Sequence, residues 1–314
     1  MLKFLGPVMI KDFNEIDTLA SQIKPLRLAA LAADEEEFLR TIKVAYENHY
    51  IEPCIIGDLA KIQKTAELID FNISSIEIIH ETDPQSIADK GIDMLFTGKT
   101  DIPIKGHIPT SFIYRSIIQH EKALGEKTTI SVNTIWDIAG MNHLVSITDT
   151  GVSIAPSYET KKNIITDAVR LMNLFGYEKP RVLILSAYTG LTRMLDSYSE
   201  ARTLQEEAAQ GNFGNCEIVE ETSLAGIFVD KGSRLDDLEK LDLGSIPHVI
   251  VVPHLDAGNI LSKLDFVLNI TRRSVVLTSH GPVIIPSRSD THDLIVGEIA
   301  LGVVIAHLLK GTQQ

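Results

Sequence analysis

Cysteine is almost missing: the 314-residue chain has two, Cys54 and Cys216. Neither stands in a CxxC pair or beside histidines, which excludes the usual thiolate metal and redox motifs. Both read as inert core thiols. No metal site is expected. Positive charge is also in short supply, with 29 Lys and Arg against 42 Asp and Glu and a net charge of -13. A nucleic-acid surface needs a basic stripe, so that class of partner is excluded. A local basic site for a small anion stays compatible with the deficit, because a focused field need not follow net charge. No uncharged apolar run reaches membrane-spanning length. The opening MLKFLGPVMIKDFNEID turns acidic early and has no small-residue cleavage site, so it does not read as a signal peptide. The expectation is a cytoplasmic protein with no membrane partner. Internal repeats, low-complexity stretches and a Ser/Gly-rich linker are absent too. A second domain is therefore expected to be inserted into the first rather than strung behind it.

What is present is ordinary for a globular protein, 44% hydrophobic and 23% charged, and long enough for two subdomains. Apolar spacing predicts an amphipathic helix over 8–24 and a strand over 26–32. A helix then starts near 34–37. Strand 53–57, helix 58–69, strand 76–80, helix 83–90 and strand 92–96 follow. After a helix over 111–120 come strands at 128–133, 144–148 and 152–155, and a helix over 158–175. Strand 180–186, helix 196–210, strand 216–221, strand 248–252, helix 260–270 and strand 274–278 complete the middle of the chain. Residues 222–246 read as a loop with a helix inside it. Alternation of this kind predicts an α/β fold with a parallel sheet covered on both faces. The expected domains are 1–148 with 285–314, and an inserted 149–284.

The most suggestive stretch is LTSHGPVIIPSRSDTHDLIVGEIA, residues 277–300. An apolar run over 282–286 breaks into Ser287-Arg288-Ser289-Asp290-Thr291-His292-Asp293, and a second apolar run at helical spacing follows over 294–309. This is a buried strand entering a polar turn and then a helix. In an open α/β sheet, ligands sit outside the carboxyl ends of strands. A hydroxyl, a guanidinium, two carboxylates and an imidazole there suit anion binding and proton transfer. The same residues would also serve simply to cap the helix.

Two Gly-Lys turns precede the helix at 111–120. In the first, Gly98-Lys99-Thr100 looks like the tail of a P-loop, but Asp93 stands where that motif needs its first glycine, so the match fails. The second, Ile104-Lys105-Gly106-His107-Ile108-Pro109-Thr110, is suited to hold an anion with backbone N–H groups near a helix N-terminus, with Thr110 equally suited to capping.

Four stretches together resemble the phosphate acetyltransferase and phosphate butyryltransferase family. They are DMLFTGK…IKGHIPTSFIYRSII, the run ITDTGVSIAPSYETKKNIITDAVRLMNLFGYEKPRVLILSA over 147–187, VVPHLDAGNILSK, and PVIIPSRSDTHDLIVGEIAL. They fall in family order and cover most of 92–306. The resemblance implies two α/β/α subdomains with a cleft between them, similar in architecture to isocitrate and isopropylmalate dehydrogenases. It also implies a homodimer with no bound cofactor. The implied reaction exchanges acyl-CoA and phosphate for acyl phosphate and CoA. Within it, Asp293 or Asp290 is the base for the CoA thiol, with spacing favouring Asp293. Ser287 donates to the oxyanion, and Arg288 and Arg115 clamp phosphate with Thr110. Lys105, Gly106, Asn133, Gly258, Asn259 and Lys263 are the expected CoA or substrate contacts. Arg115 reads equally as a solvated helix residue, Asn259 as a cap and Lys263 as a surface charge.

The chain departs from the family at Val132-Asn133, at Tyr188-Thr189-Gly190, over 223–232 and at Leu243-Gly244-Ser245-Ile246-Pro247. Those departures motivate a second reading, a non-catalytic relative that binds CoA or an acyl phosphate as a sensor or partner protein. A dehydrogenase of similar architecture would need a carboxylate metal cluster or a GxGxxG, and the sequence carries neither.

Overall fold

A computed structural model describes residues 9–125, 129–187, 195–228, 246–268 and 270–312. The chain forms two compact units. The catalytic-turn candidate lies in the unit built from Phe13–Ile130 and Arg273–Gln314.

That unit begins with helix α1 (Phe13–Gln22) and alternates strictly through β1 (Leu26–Leu31), α2 (Glu36–Glu47), β2 (Ile51–Gly57), α3 (Leu59–Leu68), β3 (Glu77–His80), α4 (Pro84–Phe96), β4 (Ile102–Lys105) and α5 (Thr110–Ala123). The four strands are parallel in the order β3-β2-β1-β4. Leu28 to Leu31 of β1 are all fully enclosed, as a strand covered on both faces requires. Helix starts follow local chemistry: the Asp58 carboxylate accepts from the N–H groups of Ala60 and Lys61, and Asp83 accepts from Ser86 ahead of Pro84. In α2 the buried positions Phe38, Leu39, Ile42 and Ala45 recur at three- and four-residue spacing.

The expected strand over 92–96 is instead the last turn of α4. Its apolar residues continue the helical stripe of Ile87, Ala88 and Gly91, and a five-residue apolar run alone does not separate helix from strand. Gly91 lets α4 close on β1, since a Cβ there would stand 2.2 Å from Leu31 Cδ2. The strand of this region is β4, later in the chain. Helix 8–24 shortens to α1.

The other unit contains Met1–Asp12 and Ser131–Arg272. Its elements are β5 (Val132–Ile138), β6 (Val145–Thr148), α6 (Tyr158–Leu174), β7 (Arg181–Ile184), α7 (Asp196–Ala208), β8 (Glu217–Ile218), α8 (Leu224–Phe228), β9 (Val249–Val251) and α9 (Leu255–Ser262). The strand order is β5-β6-β9-β7-β8, with β5 and β6 antiparallel and the remaining pairs parallel. Because β6 pairs with β9, residues 131–148 belong to this unit and not, as the sequence suggests, to the first. The borders fall at residues 12, 130 and 272 rather than at 148 and 285. Residues 152–155 form bends rather than a strand. The helix expected over 260–270 starts earlier, as α9, and gives way to a 3-10 turn at Leu264–Phe266. Most of the loop expected over 222–246, and Tyr188 to Gly190, lie outside the described residues.

The first described residues are sewn into this second unit. Ile10 N–H donates to Phe175 O, and its carbonyl accepts from the Tyr177 hydroxyl, which in turn accepts from Leu144 N–H.

Strand β10 (Ile270–Leu277) then leads through a tight turn into β11 (Pro282–Val283), and the chain ends with α10 (His292–Thr312). β11 runs antiparallel to β10, and its continuation bridges in parallel from Ile284 to Ile104 of β4. α10 is long and apolar enough to match a membrane span, yet residues 297–306 are buried within the protein. Glu298 at its centre is fully enclosed and accepts from Ser274 N–H.

Candidate active site

The carboxyl ends of β1, β4 and β11 come together, and this is where an open α/β sheet holds ligands. Gly106 follows β4 and donates its N–H to Leu31 O, while His107 N–H donates to Ala32 O. A Cβ on Gly106 would stand 2.6 Å from both of those carbonyl oxygens and 2.7 Å from Phe38 Cε1. Only glycine lets the loop after β4 lie this close to the end of β1. Its role is therefore one of backbone approach.

Lys105, one residue earlier, is half-buried and donates from Nζ to Gly106 O. Burial holds its ammonium below the usual lysine range, the Arg288 charge pushes the same way, and Asp290 opposes them. Lys105, Arg288 and Asp290 thus form one electrostatic group drawn from two segments far apart in sequence.

Arg288 itself is exposed, at the tip of the 287–290 turn. Asp290 N–H donates to Ser287 O and closes that turn, and the Asp290 carboxylate accepts from Ser287 N–H at 2.6 Å. Asp290 is therefore already occupied as the clamp of the turn. The Ser287 hydroxyl is 3.2 Å from that of Ser289. Asp293 lies exposed in the first turn of α10, where its charge faces the positive end of the helix dipole. Thr291 supplies the cap, its hydroxyl accepting from Leu294 N–H. The helix-capping reading of the stretch is thus met by Thr291, and the helix does not need Ser287, Arg288 or Asp293 for that purpose.

Thr110 is the first residue of α5, half-buried, with Pro109 at the cap position. Arg115 is exposed one turn on, donating to Gln85 Oε1 at 3.1 Å and lying 5.7 Å above the Phe112 ring.

The four candidates of the other unit have different surroundings. Asn133 is fully enclosed in β5, where its Oδ1 accepts from the Ser146 hydroxyl. Gly258 lies inside α9 and not in a turn; a Cβ there would be 2.4 Å from Asp149 O, so it too serves close approach. The cap of α9 is His254, which accepts from Ala257 N–H, so Asn259 is not the cap but an exposed helix residue. Lys263 ends α9 with its ammonium 5.8 Å from the Phe266 ring centroid.

Sequence reasoning missed how much Asp149 does. Its Oδ1 accepts from the N–H groups of Val132, Gly151 and Val152, and its Oδ2 from Ser153 at 2.7 Å. The Asp-Thr-Gly run is a turn signature that points to such side-chain bonding. Burial pushes the Cys54 thiol up to about 12 and the half-buried Cys216 thiol upward as well, away from the reactive thiolate.

A profile of the family described as "Phosphate acetyl/butaryl transferase" matches residues 82–305. The chain belongs to that family. The phosphate butyryltransferase of Clostridium acetobutylicum is 23% identical over 95% of this chain and 99% of its own length. The phosphate acetyltransferase of Rickettsia prowazekii is 26% identical over 98% of this chain and 90% of its own. Among solved structures, a branched-chain phosphotransacylase from Enterococcus faecalis superposes with a TM-score of 0.70 at 20% identity, covering 89% of this chain and 99% of that one. These relatives support the phosphate acyltransferase reading of the chain over the non-catalytic one. The chain is an acyltransferase for which coenzyme A is a substrate and not a resident cofactor.

Proposed function

We propose that the chain is a phosphate acyltransferase of the butyryl rather than the acetyl type, with its phosphate side built from the 287–293 segment and Lys105. One observation carries this reading: Lys105 and Arg288 are brought within electrostatic reach of each other and of Asp290 at the carboxyl ends of β4 and β11. Lys105 and Arg288 supply the charged donors there that an inorganic oxyanion would accept from.

In the direction of acyl-CoA synthesis, the CoA thiol gives its proton to Asp293, because only the thiolate is a good nucleophile. The sulfur attacks the carbonyl carbon of the acyl phosphate. Ser287 Oγ donates to the oxyanion of the tetrahedral intermediate. The carbon–oxygen bond to phosphate then breaks, Asp293 passes its proton to the departing oxygen, and the resulting phosphate dianion is received by Arg288 and Lys105, with Thr110 and Arg115 as further candidates. The reverse direction returns the proton from Asp293 to the departing CoA sulfur. Asp293 is chosen over Asp290 because the latter already holds Ser287 N–H. Gly106 shapes the floor of this phosphate side. The homodimer implied by the family resemblance is part of the same proposal and is checked by sedimentation velocity.

The test is a panel of acyl-CoAs assayed for free thiol released in the presence of phosphate or arsenate. Butyryl-CoA is expected to exceed acetyl-CoA in kcat/KM; the opposite order overturns the butyryl assignment. Arg288→Ala is expected to raise the phosphate KM and lower kcat, and unchanged kinetics would remove Arg288 from the site. Ser287→Ala is expected to lower kcat by roughly 100- to 1,000-fold.

A further inference from the structure

His292 stands between the capping Thr291 and Asp293, and the reading above gives it no task. Its ring Nδ1 is 2.9 Å from the hydroxyl of Thr41 on α2. Thr41 is 1% exposed, and its hydroxyl donates to Glu37 O at 3.0 Å, one turn back in its own helix. A hydroxyl has one proton. With that proton committed to Glu37 O, the Thr41 oxygen is an acceptor toward His292. The hydrogen between them therefore belongs to Nδ1. The hydrogen bond of one ring nitrogen thus fixes the tautomer, and with it the ring orientation.

The partner element adds to this. Helix α2 is the same helix that sets Phe38 against Gly106, so its first two turns touch both segments of the candidate phosphate side. Thr41 reaches α10 at its first residue, where the chain has left the 287–290 turn and the helix has only begun.

We infer that His292 is a positioning residue, whose Nδ1–H bond to Thr41 fixes the first turn of α10 and thereby the direction of Asp293. The pin is a part-buried donor–acceptor pair, enclosed at Thr41, and a neutral ring protonated on Nδ1 is enough to make it. It deepens the proposed role of Asp293 and rests on that reading for its catalytic consequence, but not for its existence.

Three measurements test it on the full-length protein. In imidazole 15N NMR, at a pH where the ring is neutral, wild-type His292 is expected to carry its proton on Nδ1, and Thr41→Val to release it to Nε2. In amide exchange, Thr41→Val is expected to speed exchange of Leu294 and Ile295 by about three- to tenfold, the worth of one hydrogen bond. In the thiol-release assay, Thr41→Val and His292→Leu are expected to lower kcat by a similar three- to tenfold with little change in phosphate KM or in melting temperature. The double variant should be no worse than either single one. His292→Asn, whose side-chain N–H stands near the place of Nδ1–H, should restore most of kcat. A wild-type ring protonated on Nε2, unaltered exchange at Leu294 and Ile295, or additive kinetic losses would each overturn the inference. A wild-type protein without phosphate-dependent turnover, but with the expected tautomer and exchange, would sink the assignment of Asp293 and leave the pin standing.

Discussion

Gly106 and Asp149 show how much single residues carry. At Gly106 the neighbours within 2.7 Å of an added Cβ include two backbone carbonyl oxygens, which cannot swing aside as a side chain would. Gly106→Ala is expected to cost about 1–3 kcal/mol of stability, as forced overpacking does, and to lower activity by displacing Lys105. Chemical denaturation compared with the thiol-release assay checks both. Asp149→Asn keeps the shape but replaces one carboxylate oxygen with an N–H donor, which then faces an N–H donor of the loop. Loss of charge-assisted bonds on that scale costs about 2–3 kcal/mol, to be read from the urea midpoint. The polar stretch at 287–293 was legible because apolar periodicity stops and restarts around it. Which of its aspartates clamps the turn was not, because that depends on how the turn closes between Ser287 and Asp290. The Thr41–His292 pair spans 251 positions and leaves no local trace in the sequence.

Helix α10 and strand β10 meet through a contact that depends on the absence of a side chain. A Cβ on Gly297 would be 2.6 Å from Arg273 Nε. Arg273 makes a two-pronged pair with Asp17 at 2.7 and 2.8 Å and lies 4.3 Å above the Phe13 ring. Gly297→Ala is expected to dislodge that guanidinium and destabilise the protein by about 1–3 kcal/mol. Arg273→Lys should not preserve the native stability, since an ammonium cannot reproduce the fork. Thermal melting of the two variants checks the pair. At this scale the sequence was informative wherever a cap preceded a long apolar stripe, as at Ser157 before α6. It misled at 92–96, where the tail of a helical stripe has the length and apolarity of a buried strand, and it suggested no strand over 102–105, where Pro103 lies inside IPIK. Pro103 is tolerated because its carbonyl, not its missing N–H, meets Ile284.

At the scale of the whole chain, alternation without a linker suggests an inserted second domain, whereas the borders of the two compact units fall at residues 12, 130 and 272. Residues 131–148 follow directly on the first set of strands, and only their pairing with β9 assigns them elsewhere. The Ser131–Arg272 unit also holds a pair of buried or half-buried histidines. His143 and His248 are 4.8 Å apart ring to ring, with His248 accepting from Arg181 N–H and His143 bonded to Ile246 O. Burial, then the charges of His143 and Arg181, hold His248 down to about 4; burial and Arg181 lower His143 too, against the pull of Ile246 O. A histidine whose folded value is depressed favours the folded state fully above its unfolded value near 6.5. That contribution is lost as pH falls toward 4, with a slope of up to about 1.4 kcal/mol per pH unit for each proton. Melting temperature is therefore expected to drop between pH 6.5 and 4, with amides of this unit losing exchange protection. His248→Gln, still able to accept from Arg181, should flatten the curve.

The bond from Tyr177 to Ile10 has a practical corollary. Trimming the chain back to its first helix would start it at Phe13, and would thereby strip Ile10 from a sheet-bearing unit more than a hundred residues downstream. Such a shortened product would leave the Tyr177 hydroxyl without its acceptor, and the damage would surface far from the cut.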